Sequence, residues 1–192
     1  MKRLVVSFGA LLRLIALPMT MVLTPLMALA DTEYVNGRTW TYTISGTAAV
    51  VTGVNPSAGV LIIPEYLGGT QVRVVAASSF KGRKDIESVV FPSNLTRIEE
   101  SAFYGCEKLV NVSFPNALKT IGASAFRSCK GLFEVYFPDS VETIDGSVFA
   151  DCNNIYGVSL PQSRFFSSDW SGECFKGRGN CKTSALTACP SA

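Results

Sequence analysis

Between Leu109 and Cys129 the order of apolar and polar residues specifies one folding unit. Val112 and Phe114 are apolar while Asn111 and Ser113 are polar, the period-two alternation of a strand with one buried face. Pro115 follows at once and ends the pairing, because it has no N–H to give to a ladder. Leu118 and Ile121 form a second apolar pair and predict another brief strand. Ser124-Ala125-Phe126 then predicts a short helical turn with Phe126 facing inward, closed by Cys129.

This pattern recurs at a constant step of twenty-three positions. Pro92, Pro115, Pro138 and Pro161 keep that step, as do Phe80, Phe103, Phe126 and Phe149. Val75, Ile98, Ile121 and Ile144 form a third column, and Ile86, Leu109, Leu132 and Ile155 a fourth. Cys106, Cys129 and Cys152 make a fifth. A unit this short cannot bury its large side chains alone, but stacked copies can. Each such group buried contributes roughly 1.5–3 kcal/mol. The expected fold is therefore an α+β repeat solenoid, mostly β, with short helical turns.

The two ends differ from the middle. Leu61, Ile63 and Pro64 end a strand as the later units do, but the stretch from Pro64 to Val75 is longer by five than its counterpart from Pro92 to Ile98. Leu67-Gly68-Gly69-Thr70 is a turn sequence, and Val72, Val74 and Val75 suit a strand after it, so a hairpin is expected in the insertion. Upstream, Asn36-Gly37 is a strong hairpin signal, since both residues tolerate φ > 0. Trp40, Tyr42 and Ile44 then share one face, opposite Thr39, Thr41 and Thr43. An open solenoid end exposes its core, so residues 31–58 are read as an N-terminal β-hairpin cap. One step beyond Ile144 and Phe149 stand Ser167 and Gly172, and the columns fail. Residues 59–161 are thus the solenoid of about four units, and 162–192 a degenerate repeat or C-terminal cap with a cysteine-bearing tail.

These units resemble the BspA-type leucine-rich repeat family, which pairs a Leu-x-x-Val-x-Phe/Ile-Pro strand with a Ser-Ala-Phe-x-x-Cys turn. The strand motif matches at Ile86 to Pro92, Leu109 to Pro115, Leu132 to Pro138 and Ile155 to Pro161. The turn motif matches at Ser101 to Cys106 and Ser124 to Cys129, and at Ser147 to Cys152 with Val148 in place of alanine. Proline directly after the strand separates this type from the commoner leucine-rich repeat, which carries Asn or Cys there. The resemblance implies a right-handed leucine-rich repeat solenoid. It also implies a secreted or cell-surface protein that binds host or matrix proteins and neighbouring cells.

Charge and hydropathy at the amino end agree with export. Lys2, Arg3 and Arg13 precede a mostly apolar run from Leu14 to Leu26, and Ala28-Leu29-Ala30 places small residues where a signal peptidase reads. The run from Leu14 to Ala30 contains two prolines and falls short of the roughly 20 residues needed to span a bilayer. Residues 1–30 are read as a signal peptide, and no membrane span is expected after its removal. Lys2, Arg3 and Arg13 leave with that peptide, which turns a small excess of basic over acidic side chains into a deficit of one. The slight basicity therefore belongs to the leader, and a nucleic-acid partner is not expected.

Candidate chemistry is sparse. The chain has no histidine, so neither a Ser–His nor a Cys–His pair can form. Glu99, Glu100, Asp139, Glu142 and Asp145 remain as acids, but they fall at turns and coil edges, where solvated charge is ordinary. A carboxylate-dependent hydrolase is the least favoured reading. No cofactor and no metal are expected: the repeat cysteines read as small hydrophobes in equivalent core positions. Cys174, Cys181 and Cys189 lie outside the repeat, where an oxidising compartment favours one disulfide without fixing which pair forms. Asn94-Leu95-Thr96 and Asn111-Val112-Ser113 fit the N-glycosylation pattern, which has meaning only in a eukaryotic source.

The remaining candidate is the outer surface of the strand ladder. Ser88, Val90, Asn111, Ser113, Glu134 and Tyr136 alternate with the buried columns and are the predicted binding residues, with Tyr136 beside Glu134 the most anchor-like pair. Gly157 and Ser159 continue the same positions. The expected function is a non-enzymatic extracellular recognition or adhesion module for a protein or cell-surface ligand. The alternative is a structural or spacer repeat without a dedicated ligand.

Overall fold

The computed structural model describes residues 30–159, so most of the predicted leader and the tail with Cys174, Cys181 and Cys189 lie outside the described residues. Within them the chain winds as stacked coils, and each repeat gives one strand to each of two sheets. The repeat strands are β7 (Ile86–Val90), β9 (Asn111–Ser113), β11 (Glu134–Tyr136) and β13 (Gly157–Ser159) on one side. On the other are β6 (Thr70–Val75), β8 (Arg97–Ile98), β10 (Thr120–Ile121) and β12 (Thr143–Ile144). All pair in parallel at the repeat step: Val89, Val112, Val135 and Val158 lie side by side, as do Ile98, Ile121 and Ile144. Alternation within the longer sheet strands turns Val89, Val112 and Val135 inward and leaves their neighbours outside.

The enlarged first unit forms β4 (Gly59–Ile62), β5 (Tyr66–Leu67) and β6. β5 and β6 are an antiparallel hairpin closed by Gly68 and Gly69 at positive φ, so the five-residue insertion is spent there. β4 joins β7 in parallel and forms one edge of the five-stranded sheet β13-β11-β9-β7-β4. Three earlier strands, β1 (Asp31–Val35), β2 (Arg38–Ser45) and β3 (Ala48–Asn55), run antiparallel and extend the other sheet, with β3 parallel to β6. Asn36 and Gly37 make the β1–β2 turn at φ 53° and 79°. Trp40 and Tyr42 are buried as their face predicts, whereas Ile44, near the end of β2, is 40 % exposed. Arg38 reaches over to β4: its guanidinium donates to the carbonyls of Pro56 (2.8 Å), Ala58 (2.8 Å) and Val60 (3.0 Å). Of these, only the Val60 carbonyl lies on β4, and an edge carbonyl so occupied is not open to another chain.

Between the sheets the repeat columns fuse into a single buried cluster from Trp40 to Val158. Phe80, Phe103, Phe126 and Phe149 stack with centroids 4.9, 5.3 and 5.6 Å apart. Phe91, Phe114 and Phe137 make a second stack at 6.0 and 5.4 Å. Within each coil the two columns meet edge to face, as Phe114 and Phe126 do at 5.6 Å and 67°. Stacked and perpendicular contacts together suit the quadrupole of each ring.

The expected helical turns are corrected by the structure: among the described residues there is no helix, and Ser-Ala-Phe-x-x-Cys folds as consecutive tight turns. Two left-handed residues per turn explain the difference. Ser78, Ser101, Ser124 and Ser147 have φ between 55° and 59°, and four positions later Gly82, Gly105, Ser128 and Asp151 have φ between 59° and 72°. A right-handed helix cannot absorb such residues. The hydrogen bonding differs accordingly. Ser101, Phe103 and Gly105 donate their N–H groups to Ala123, Ala125 and Arg127 of the next coil. The alternate groups of Ala102, Tyr104 and Cys106 bond three residues back, to Glu99, Ser101 and Phe103. Half of the turn's donors therefore tie coil to coil, where a helix would spend them within itself.

The repeat cysteines take their place in this scheme. Cys106, Cys129 and Cys152 are fully buried. Each Sγ donates to the carbonyl of a phenylalanine in the preceding coil: Phe80 (3.2 Å), Phe103 (3.1 Å) and Phe126 (3.0 Å). In the first unit Arg83 stands at this position and turns instead toward the Val54 carbonyl at 3.5 Å.

Candidate functional site

Parallel pairing at a constant step makes the outer face of the five-stranded sheet a grid. One row runs Val60, Ser88, Asn111, Glu134 and Gly157 across neighbouring strands, and the other Ile62, Val90, Ser113, Tyr136 and Ser159. All six predicted binding residues fall on this grid. Val90, Asn111, Ser113 and Tyr136 are exposed, and Ser88 and Glu134 half-buried. Tyr136 and Glu134 touch: the phenol donates to Glu134 Oε2 at 2.7 Å. That bond, followed by the neighbouring negative charge, raises the phenol above its ordinary pKa. The bond thereby ties the phenol end of the ring to the neighbouring row of the grid.

Two groups of surface residues escaped the sequence reading. Val60 and Ile62 head the two rows, 51 % and 52 % exposed. They pair with Ser88 and Val90 at an offset longer by five than the repeat, so a search at the repeat step passes over them. The second group stands just before the strands: Val110, Phe133 and Tyr156 are 43 %, 49 % and 53 % exposed. Phe133 and Tyr156 stack at 5.6 Å with ring planes 7° apart. This column does keep the repeat step and could have been found, but it begins at the polar Glu87 and sits outside the strand alternation.

Of the ten large apolar residues exposed among the described ones, four lie on the grid and three in the column beside it. Four on one sheet face is a concentration that scattered surface apolar groups do not show.

The carboxylates do not gather into a comparable arrangement. Glu99 accepts from the Ala77 N–H at 3.1 Å and pairs with Arg97 at 3.8 Å, while Glu142 holds Lys119 at 2.8 Å. Glu100, Asp139 and Asp145 are exposed on turns and coil edges. Among the described residues no group of three His, Cys, Asp or Glu side chains could hold a metal ion. No helix there is long and apolar enough to cross a membrane.

No curated protein matches the chain. Solved structures do, among them the leucine-rich repeat protein of T. pallidum, at 25 % identity and a TM-score of 0.53, over 64 % of this chain and 69 % of that one. A leucine-rich repeat protein from Bacteroides capillosus matches at 25 % identity and a TM-score of 0.56, over 62 % of this chain and 92 % of that one. A leucine-rich cell surface protein from Faecalibacterium prausnitzii has the same fold, at 24 % identity and a TM-score of 0.51, over 64 % of this chain and 41 % of that one. The model for the BspA type leucine rich repeat region matches residues 73–188 in six copies, and so continues past Pro161, where the strict columns end. With more than half of its length covered by that model and its coils built on the same motif, the chain belongs to the BspA-type leucine-rich repeat family.

Proposed function

We propose that this protein is an exported, non-enzymatic recognition module that binds a protein ligand on the outer face of its five-stranded sheet. The observation that carries the reading is the grid itself. Exposed apolar residues run across the ladder from Val60 and Ile62 through Val90 to Tyr136, with Phe133 and Tyr156 along one side. Aromatic anchors set among small polar residues are the composition of a protein-binding face. Family membership supports a repeat module, and one similar structure is described as a cell surface protein. Export rests on the signal-peptide pattern of residues 1–30. In the same reading β1–β3 serve as a cap, since Trp40 and Tyr42 cover core that a bare first coil would expose.

The test is capture of extracellular and cell-surface proteins on the immobilised full chain, comparing wild type with Tyr136→Ala, Glu134→Ala and Phe133→Ala. Loss of one captured protein on all three changes is the expected result. Capture indifferent to every change would refute the outer face as the site, and no capture at all would favour a spacer.

A further inference from the structure

Where β4 ends, the outer face runs into a groove of about 480 Å³, within the range of about 300–1,000 Å³ typical of ligand sites. Its walls come from three parts of the chain: β1, the segment after β4, and the end of β7. Most of the lining is apolar and includes Ile62, Val90, Phe91 and Tyr66, the last 55 % exposed. Two carboxylates stand in it, Glu33 and Glu65, and none of the lining residues is a lysine or arginine.

Both carboxylates are fixed by bonds to distant backbone. Glu65 accepts from the Ser93 N–H at 2.8 Å and from the Ser93 hydroxyl at 3.1 Å. Glu33 accepts from the Gly68 N–H at 2.8 Å. A carboxylate has about four acceptor positions, so each keeps capacity for a further donor. Arg38, close by in sequence, is committed to three backbone carbonyls. The groove therefore combines anchored negative charge, an exposed aromatic ring and aliphatic walls, with no cation of its own lining to neutralise it.

We propose that this groove binds a lysine or arginine side chain of an extended peptide segment. The aliphatic stem would lie along Ile62 and Val90 while the charged head donates to Glu33 and Glu65 and lies near the Tyr66 ring. Long basic side chains bury their stems and present their heads in this manner, and charge-assisted bonds are the stronger kind. The peptide backbone distinguishes this ligand from a free alkylamine. The site stands apart from the grid anchors Glu134 and Tyr136 and does not depend on their engaging a partner.

The experiment titrates the full chain with the peptide acetyl-Gly-Leu-Lys-Leu-Gly-amide, and with versions carrying norleucine or glutamate in place of lysine. Spermidine is the free-amine arm. The lysine peptide should bind and weaken as salt is raised. It should bind roughly ten- to hundredfold more weakly to Glu33→Gln/Glu65→Gln, the scale expected for one charged hydrogen bond. Asp139→Asn, on an exposed turn, serves as the charge control and should bind as wild type. Equal binding of the norleucine peptide would overturn the proposal, as would no binding or spermidine binding as tightly as the peptide. These arms use wild-type protein, so they decide the matter even if the double variant fails to fold. Tyr136→Ala and Glu134→Ala are not among the variants, so failure here is separable from failure of the outer-face reading.

Discussion

At the scale of single residues, chemistry is subordinated to packing. Burial and a partner thiol illustrate it at Cys129. The contact with Cys106, followed by desolvation, pushes the thiol far above its ordinary range, so the reactive thiolate is suppressed. A thiol-specific reagent should therefore leave Cys106 and Cys129 unmodified in the native protein and modify both in guanidinium. Native labelling of either of them, read by peptide mass, would contradict the buried column. Glu107 shows the opposite case on the surface. Hydrogen bonding from Lys84 at 3.3 Å, then the charge of Lys130 at 3.6 Å, lowers its pKa. A lowered folded-state pKa stabilises above the unfolded value, roughly 4.3, and that contribution disappears as pH falls through the folded value. The denaturant midpoints of wild type and Glu107→Gln should thus differ slightly at neutral pH and at low salt. The difference should shrink on acidification and with added salt, because the pair is exposed.

At the scale of elements, the strands were legible and the turns were not. A strand announces itself through side chains, since alternation and a following proline leave a pattern in the sequence. Val112-Ser113-Phe114-Pro115 is such a case. The turn is determined by backbone dihedrals. Ser124, Ala125, Phe126 and Cys129 have spacings that a helix would share, and serine gives no sign that it will adopt φ 56°. Gly82 and Gly105 are the partial signal, four positions after their serines, but Ser128 and Asp151 break the column in the later coils. Position 105 offers a test. Alanine there meets only ordinary contact, 3.8 Å from the Gly82 Cα, so any cost comes from its φ of 72°. Gly105→Ala should destabilise by about 1 kcal/mol, the left-handed penalty less the entropy gained in the unfolded chain. An unchanged or higher midpoint in urea would mean that the turn relaxes out of the left-handed region. The candidate surface divides in the same way. Ser88 to Tyr136 could be read because they alternate with core, whereas Val60 and Ile62 were hidden by the five-residue offset of β4.

At the scale of the molecule, stability resides in contacts between neighbouring coils. Phe126 is the central example, stacked on Phe103 and Phe149 and met edge-on by Phe114. Phe126→Ala should cost roughly 3–5 kcal/mol, measured as a lowered urea midpoint. A loss much smaller than that would mean the coils on either side can close over the gap. Truncating Tyr136, 58 % exposed, should by contrast leave the midpoint nearly unchanged. Separating these two effects separates the residues that hold the stack from those available to a partner.

The constant step of the ladder also governs how such a chain can change in length. Each coil meets its neighbours through strand pairs, ring stacks, turn bonds and a thiol bond, all tied to the same repeat step. Inserting one or two residues within a repeat strand would put all of these out of phase at once, unless a loop absorbed them as the β5–β6 hairpin absorbs five. Whole repeats, however, can be gained or lost with every remaining contact intact. The length of the outer sheet face is therefore quantised: it grows or shrinks by complete rows of side chains.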